Sequence, residues 1–300
     1  MRAGTATRSL PQRWQEYWFE PAPIRRLDAF ARVIFVVVGL HVMVIDAWAA
    51  AHDRVAASMY RPVLLARLLS LPAPTPTTMA WLRVLTVVAC VVALWRRAPR
   101  FTSGLVLAGS TVWLLWAFSY GKVDHDRLTI TIALLALTLT PRRGQDVESK
   151  TGWALRLVQV GFAFAYVFSA IVKLRTAGWG WANSAVFTRA IVRRGTPLGD
   201  VLLDVPGLLR IGQWAFLCFE LAAVIILVRN RWTRALAIAG VIALHTFTYA
   251  TIEISFLPHT VCLLAFFPLE RIGDRWAEWR DQRRPPAATS EAEDPNGVVA

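Results

Sequence analysis

The sequence predicts an all-α integral membrane protein, a polytopic bundle of about eight transmembrane helices with both termini in the cytoplasm. Three observations predict this fold class. Of the 300 residues, 56% are hydrophobic, and the mean hydropathy is +0.44. Apolar runs recur at lengths that can cross a bilayer, and short basic segments alternate with them. This composition excludes a disordered, fibrous or ordinary secreted chain.

Crossing the hydrocarbon layer takes about 20 apolar residues. By that measure the candidate spans are, in order, 29–50, 78–95, 101–120, 127–140, 152–173, 208–228, 234–251 and 254–269. The fourth and eighth are short, which indicates helices that are tilted, buried among neighbours or broken. Pro258 removes one backbone hydrogen bond from the eighth, a loss that membrane helices tolerate where neighbouring groups compensate.

Basic residues orient these spans. The chain carries 33 lysines and arginines against 20 acidic residues, for a net charge of +13. In a soluble chain this excess would indicate nucleic acid binding, whereas in a membrane chain it marks the cytoplasmic side. The basic short loops 95–100, 141–143 and 229–234 fall on one side with both termini. We therefore expect the lipid bilayer as a partner and no nucleic acid.

Three regions follow from this layout. Residues 1–28 form a cytoplasmic N-terminal segment, 29–270 the transmembrane domain, and 271–300 a polar tail predicted to be disordered. The first apolar run is too long for a signal-peptide core, so no cleavable signal is predicted. The outer stretch 175–206 interleaves apolar residues with arginine, which predicts an amphipathic segment at the outer surface or dipping back into the membrane.

Several functions are excluded by missing motifs. The sequence contains no GxSxG, P-loop, dinucleotide-binding or HExxH pattern, which removes soluble hydrolases, kinases and zinc proteases. Cys90, Cys218 and Cys262 each lie inside an apolar run without metal-binding spacing. They are interpreted as buried small hydrophobic residues, and neither a disulfide nor a metal site is predicted.

Ionisable residues inside spans are costly, so each is a candidate functional residue. The candidates are His41, Asp46, Arg83, Glu220, His245, Glu253 and His259, together with Lys173 and segment 119–127 at the outer ends of spans. At 1.5 Å per residue, Lys173 lies about 30 Å beyond Trp153, at the outer boundary. His125 lies in the outer turn between spans three and four. The two groups are therefore expected at the same membrane face.

The residues alone leave two interpretations open for each group. Lys173 is flanked by apolar residues, a setting in which a lysine can act as a general base, but it can also be a cation reaching the interface from a helix end. His125 can be a solvated turn residue held by its neighbouring aspartates. Glu220 is expected to pair with another ionisable group or to stay protonated, and Asp46 with Arg54 forms a candidate structural ion pair.

Five segments, in order, carry a resemblance to a known family. They are VIDAWAAAHDR (44–54), YRPVLLARLLSLPAP (60–74), GKVDHDRLT (121–129), YVFSAIVKLRTAGW (166–179) and HTFTYATIEISFLPHTVCLLAFFP (245–268). Together they resemble the vitamin K-dependent gamma-carboxylase superfamily, including its bacterial HTTM-domain branch, over about residues 25–270.

The resemblance implies a quinol-using membrane enzyme of a bacterial cytoplasmic membrane, with its site facing the outer side. It implies a reduced naphthoquinone, menaquinol, as cofactor, with oxygen and carbon dioxide as co-substrates and a peptide glutamate as the group carboxylated. Lys173 matches the family's base and His125 its assisting histidine. The cofactor-binding residues implied are Tyr166, Trp179, His245 and His259.

This sequence also departs from the family. Only about 30 polar residues follow the last span, where the animal carboxylases carry a large extra-membrane region. Lys122 and Arg127 crowd the histidine loop, and Val172 replaces a second lysine. We therefore expect quinol binding to be retained, whereas the departures concern peptide carboxylation.

Two other functions stay open on the sequence. One is a non-catalytic membrane partner in peptide maturation, export or immunity, which would bind a peptide or a small membrane protein. The other is a transporter, for which Glu220, His41 and His245 could supply a polar path through the membrane. The absence of internal repeats in the sequence counts against the transporter.

Overall fold

The computed structural model describes residues 9–45, 51–95, 99–121, 123–272 and 274–275. Every regular element among these residues is helical, which confirms the all-α prediction. In chain order the helices α1 to α12 are Leu10–Trp18, Ile24–Leu40, Leu64–Leu68, Pro76–Leu94, Pro99–Phe118, Arg127–Leu139, Val147–Ala177, Val186–Arg194, Pro197–Leu203, Pro206–Ala222, Arg231–Ile252 and Leu257–Thr260. A π-helical turn follows α2 at His41–Ile45, and 3-10 segments occur at Ala51–Arg54, Ala57–Met59, Gly178–Trp181, Ala223–Leu227 and Val261–Phe266.

Six helical segments in the described ranges are long and apolar enough to cross a membrane, which supports a membrane protein. They are Ile24–Val44, Pro76–Leu94, Pro99–Phe118, Val147–Trp181, Pro206–Leu227 and Arg231–Ile252. The two spans predicted to be short form the shorter apolar segments Arg127–Leu139 and Leu257–Phe266. The first of these rises about 20 Å, less than the hydrocarbon thickness of about 30 Å. The count of eight crossings and the cytoplasmic termini remain predictions.

Helix α7 is the central element of the bundle. It packs against α2, α6, α10, Ala223–Leu227 and Val261–Phe266. The core beside it contains Phe30 and Ile34 from α2, Leu134 and Leu137 from α6, and Phe162 from α7 itself, all of which are at most 1% exposed. Packing of buried side chains from α2, α6 and α7 fixes the position of α7. Helix α7 contains Lys173, which the sequence singled out.

Helix ends extend past the apolar runs. Helix α2 begins right after Pro23, five residues before the predicted start of the first span, because Leu27 is buried and Arg26 binds Glu270. Helix α7 continues past Lys173 to Ala177 and ends at Gly178, whose φ of +56° is favourable for glycine. Counting apolar residues locates the part of a helix that lies in lipid, not the helix ends.

Much apolar surface of the bundle faces outward, as the bilayer requires. In α11, Leu236 is 76% exposed, and Ile242 and Phe247 are also exposed. Cys90 and Cys262 are buried as predicted, but the prediction for Cys218 is wrong, because it is exposed on α10. An apolar run on a membrane helix has a lipid-facing side as well as a buried one, and Cys218 occupies the lipid-facing side.

The stretch between α7 and α10 folds into two short helices, α8 and α9. Helix α8 is amphipathic: Ile191 is buried, whereas Arg193 and Arg194 are exposed. Thr196 caps α9 by accepting a hydrogen bond from the Gly199 amide. These two helices cover one end of the bundle beside the site described next.

Candidate functional site

A cavity of about 780 Å³ lies between α7, α8, α9, α10, α11 and α12. Most of its lining is aliphatic or aromatic, with Phe187, Phe216 and Phe219 among the aromatic members. The polar and ionisable side chains in the lining include Tyr166, Lys173, Glu220, His245, His259 and His125. The size lies within the range of small-molecule sites, about 300–1,000 Å³, and so does the pattern of a few polar groups in apolar walls.

Lys173 and Glu220 form an ion pair in the cavity wall. The Lys173 Nζ atom lies 2.5 Å from Oε1 and 2.6 Å from Oε2 of Glu220. Nζ also donates to Ser169 Oγ at 2.7 Å, since Ser169 precedes Lys173 by one helical turn. The exposed fractions of the lysine and glutamate side chains are 18% and 2%. Both charges are therefore largely withdrawn from solvent, and each is compensated by the other.

Aromatic rings surround the lysine ammonium group. Nζ lies 5.1 Å from the ring centroid of Trp181 and 5.0 Å from that of Phe216. Ring faces attract a cation at such distances. The rings hold Nζ at the boundary between the ion pair and the apolar cavity.

A second polar group in the wall centres on two histidines. The Tyr166 hydroxyl lies 2.5 Å from His245 Nε2, and Thr129 Oγ1 lies 2.8 Å from His259 Nδ1. The His259 ring stacks on Phe162 with centroids 4.1 Å apart. Within the described structure, His245 Nδ1 and His259 Nε2 are buried without a hydrogen-bond partner. Buried polar nitrogens without partners are uncommon, which makes these two atoms candidate contacts for a ligand.

The structure brings together five of the six site residues that the family resemblance implies. Lys173, His125, Tyr166, His245 and His259 all line the one cavity. His125 precedes α6, in the turn where the sequence predicted it. The remaining residue stands apart from this group.

Trp179 does not line the cavity. Its side chain is 60% exposed, and its ring stacks on Trp214 with centroids 5.8 Å apart. Trp181, two residues further, lines the cavity instead. The reason is the 3-10 turn Gly178–Trp181, which follows the end of α7 and directs successive tryptophans differently.

The ion-pair partner of Lys173 was not identified from the sequence. Glu220 was expected to pair with some ionisable group or to stay protonated, and the pairing is with Lys173, 47 residues away. A usable signal was present, since an acidic residue inside a span calls for a cation at similar depth. Asp46, the expected partner of Arg54, lies outside the described residues, and Arg54 has Asp53 at 3.9 Å.

Two other intramembrane candidates lie elsewhere in the bundle. His41 is buried and its Nδ1 contacts the Val37 carbonyl oxygen, while Arg83 donates to the Val42 carbonyl oxygen. Neither residue lines the cavity that contains Glu220 and His245. The polar path considered for a transporter therefore has no contribution from His41 in this cavity. The described ranges contain no cluster of three or more His, Cys, Asp or Glu side chains that could hold a metal ion.

The fold and the site together define an all-α membrane protein with a buried ion pair in the wall of an apolar cavity. Comparison with protein-family models, with curated proteins and with solved structures finds no match.

Proposed function

We propose that this chain is an integral membrane protein of the gamma-carboxylase-like class, which binds a reduced naphthoquinone in the cavity and uses Lys173 as a base toward it. The observation that carries the proposal is the contact of Lys173 with Glu220 in the wall of a largely apolar cavity of about 780 Å³. A base of this kind, away from water and beside a space for an apolar ring, suits proton removal from a lipid-soluble hydroxyl compound.

The lining suits a flat, mostly apolar ring system with two hydroxyl groups. Phe187, Phe216 and Phe219 offer ring contacts from the cavity wall. The ion pair stands at one place in the lining, and the unpartnered nitrogens of His245 and His259 at another. Two separate polar groups in an apolar wall match a molecule that is polar at two positions and apolar between them.

Lys173 and Glu220 act as one unit in this proposal. As an ammonium group, Lys173 uses its three protons on Glu220 and Ser169. Transfer of one proton to Glu220 across the 2.5 Å contact leaves a neutral amine. That amine can accept the proton of a hydroxyl group in the cavity. Glu220 makes the neutral amine available by keeping the proton that it took from Lys173.

A reduced naphthoquinone would supply the oxidation chemistry: with one molecule of oxygen it gives the epoxide and one water, which takes up the two hydroxyl hydrogens. Tyr166 on α7 holds His245 in place, and Thr129 on α6 holds His259. Their free ring nitrogens would bind the second hydroxyl group. His125, at the edge of the same lining, would assist them.

The finer parts of the proposal follow the family resemblance. The quinol would be menaquinol, with oxygen and carbon dioxide as co-substrates. The carboxylated group would be a glutamate of a peptide or small membrane protein. The basic loops support an orientation with this cavity toward the outer side, and a bacterial cytoplasmic membrane is proposed from the resemblance. A non-catalytic role as a membrane partner would instead leave Lys173 dispensable for every chemical step.

A pair of glycine substitutions on α10 tests ligand binding in the cavity. Gly212 lines the cavity, and a Cβ atom there would have ordinary contact with Phe187, 3.6 Å away. Gly207, on the same helix, has open space around it. We expect Gly212→Leu to weaken menaquinol binding about tenfold or more by filling the cavity, while Gly207→Leu binds as the wild type does. Equal affinity in both variants, measured by quenching of tryptophan fluorescence, would refute binding at this site.

A further inference from the structure

A second cavity, of about 370 Å³, lies at the other end of α7 from the ion pair. Arg156 lines it, 17 residues before Lys173, which corresponds to about 25 Å along the helix. Helices α2, α7 and α11 begin near this cavity, and Val261–Phe266 ends there. The cavity is therefore at one end of the bundle, where membrane helices meet the interface.

Four arginines line this cavity among the described residues: Arg26, Arg156, Arg229 and Arg234. Two carboxylates offset part of their charge. Glu270 binds Arg26 through both of its oxygens, at 2.6 and 2.8 Å. Glu20 contacts both Arg156, at 3.0 Å, and Arg229, at 3.4 Å. With two negative charges against four positive ones, the cavity keeps an excess of two positive charges.

Two of the arginines are held in place by further contacts. Arg234 donates from Nε and Nη2 to the Val228 carbonyl oxygen, at 3.2 and 3.0 Å. Arg156 donates to the Tyr17 carbonyl oxygen and lies 4.4 Å from the centroid of that residue's ring. A group of like charges around one cavity is costly unless an anion occupies the space between them. Guanidinium groups bind phosphate oxygens with paired hydrogen bonds, which makes phosphate the anion that fits best.

Exposed apolar side chains next to the cavity favour a lipid as the source of the phosphate. On α1, the helix that contains Tyr17, Leu10 is 79% and Trp14 is 64% exposed. On the other side, at the start of α11, Trp232 is 72% exposed. Tryptophan at such positions is typical of the membrane interface, and basic cavities between membrane helices bind anionic headgroups.

We infer that this arginine cavity binds the phosphate of an anionic phospholipid headgroup. Its acyl chains would lie along the apolar side chains of α1 and α11. The inference is independent of the quinol proposal, because it uses a different cavity at the opposite end of α7.

A double substitution tests the site against a matched control. Arg229→Gln with Arg234→Gln removes two cavity charges, and Arg193→Gln with Arg194→Gln removes two exposed charges from α8. Each protein, stripped of lipid in neutral detergent, is titrated with dioleoyl phosphatidylglycerol, dioleoyl phosphatidylcholine or inorganic phosphate while its thermal midpoint is followed. We expect stabilisation by phosphatidylglycerol alone. The cavity variant should need about tenfold more lipid, or more, for half the effect, and the control no more than the wild type.

Three results would overturn the inference. Equal stabilisation by phosphatidylglycerol and phosphatidylcholine would show that the site does not select an anionic headgroup. Equal stabilisation by inorganic phosphate and phosphatidylglycerol would show that the ligand need not be a lipid. An unchanged phosphatidylglycerol titration in the cavity variant would show that Arg229 and Arg234 do not bind the lipid. If the double variant elutes as aggregate, Arg229→Gln alone replaces it. The Arg229 side chain is 63% exposed, so folding should tolerate its loss, and about threefold weaker lipid binding is expected.

Discussion

Lys173 Nζ contacts both carboxylate oxygens of Glu220, at 2.5 and 2.6 Å, and this pair joins α7 to α10 inside the apolar part of the bundle. The glutamate side chain is 2% exposed and the lysine side chain 18%. Water cannot solvate either charge fully, so each charge depends on the other for compensation. The pair is both a structural link between two helices and the proposed base.

Removing one member of the pair should destabilise the protein more than removing both. In soluble proteins, loss of one partner of a buried ion pair costs about 3–5 kcal/mol, whereas an apolar replacement of both can be neutral. We therefore expect Lys173→Met and Glu220→Leu each to lower the thermal midpoint in detergent, and the double variant to lie nearer the wild type. Glu148→Gln, at an exposed position, is the control, and we expect it to change the free energy of unfolding by less than about 0.5 kcal/mol. Additive losses in the double variant would show that the charges do not depend on each other.

Tyr166→Phe should weaken ligand binding as well as stability. The substitution keeps the ring but removes the hydroxyl that contacts His245 Nε2 at 2.5 Å. His245 then loses the contact that orients it toward the cavity. We expect menaquinol affinity to fall roughly fivefold, about 1 kcal/mol. Tyr60→Phe removes a hydroxyl that donates to the Leu71 carbonyl oxygen outside this cavity, and it should leave affinity unchanged. Equal menaquinol affinities of the wild type, Tyr166→Phe and Tyr60→Phe would show that His245 does not contribute to ligand binding.

Gly152→Ala should displace the segment that connects α1 to α2. A Cβ atom at Gly152 would overlap the backbone carbonyl oxygen of Glu20. Backbone cannot rotate away as a side chain can, so we expect a loss of about 1–3 kcal/mol in the free energy of unfolding. Gly207→Ala, in open space on α10, should be neutral or stabilising by up to about 1 kcal/mol. The ratio of folded to unfolded protein in a denaturant series measures both, and similar values for the two would contradict the close approach of α7 to Glu20.

Acid should remove the contribution of the Arg26–Glu270 pair to the stability of the folded protein. Hydrogen bonds from Arg26 hold the pKa of Glu270 below its ordinary value of 4.5. A carboxylate with a lowered folded-state pKa stabilises the protein above about pH 4.5, and this stabilisation is lost as the pH falls through the folded pKa. We expect Glu270→Gln to lower the free energy of unfolding at pH 7 by roughly 0.5–1 kcal/mol, and this difference from the wild type to shrink as the pH falls below 4.5. A difference that stays constant as the pH is lowered through the acid range would contradict an electrostatic role.

The sequence was sufficient for the all-α membrane class and for five of the polar residues that line the cavity. Apolar runs of known length predict membrane helices because the bilayer fixes that length. His125 and Lys173 were expected at one face from their distances to span ends, and both line the same cavity. The two short spans, 127–140 and 254–269, also match the shorter apolar segments.

The remaining features depend on packing between distant parts of the chain. Glu220 meets Lys173 only because α10 packs against α7, and no local pattern encodes that contact. Trp179 faces outward because a 3-10 turn follows Gly178. Cys218 faces outward because of the rotation of α10 about its axis, which an apolar run does not reveal.

Menaquinol turnover by the purified protein tests the proposed role of Lys173. Wild type, Lys173→Met and the Arg193→Gln control are each given menaquinol and oxygen, and the quinone epoxide is quantified by liquid chromatography. We expect epoxide from the wild type and the control, and none above the protein-free rate from Lys173→Met. No epoxide from the wild type, or equal epoxide from Lys173→Met, would contradict the role of Lys173 as the base.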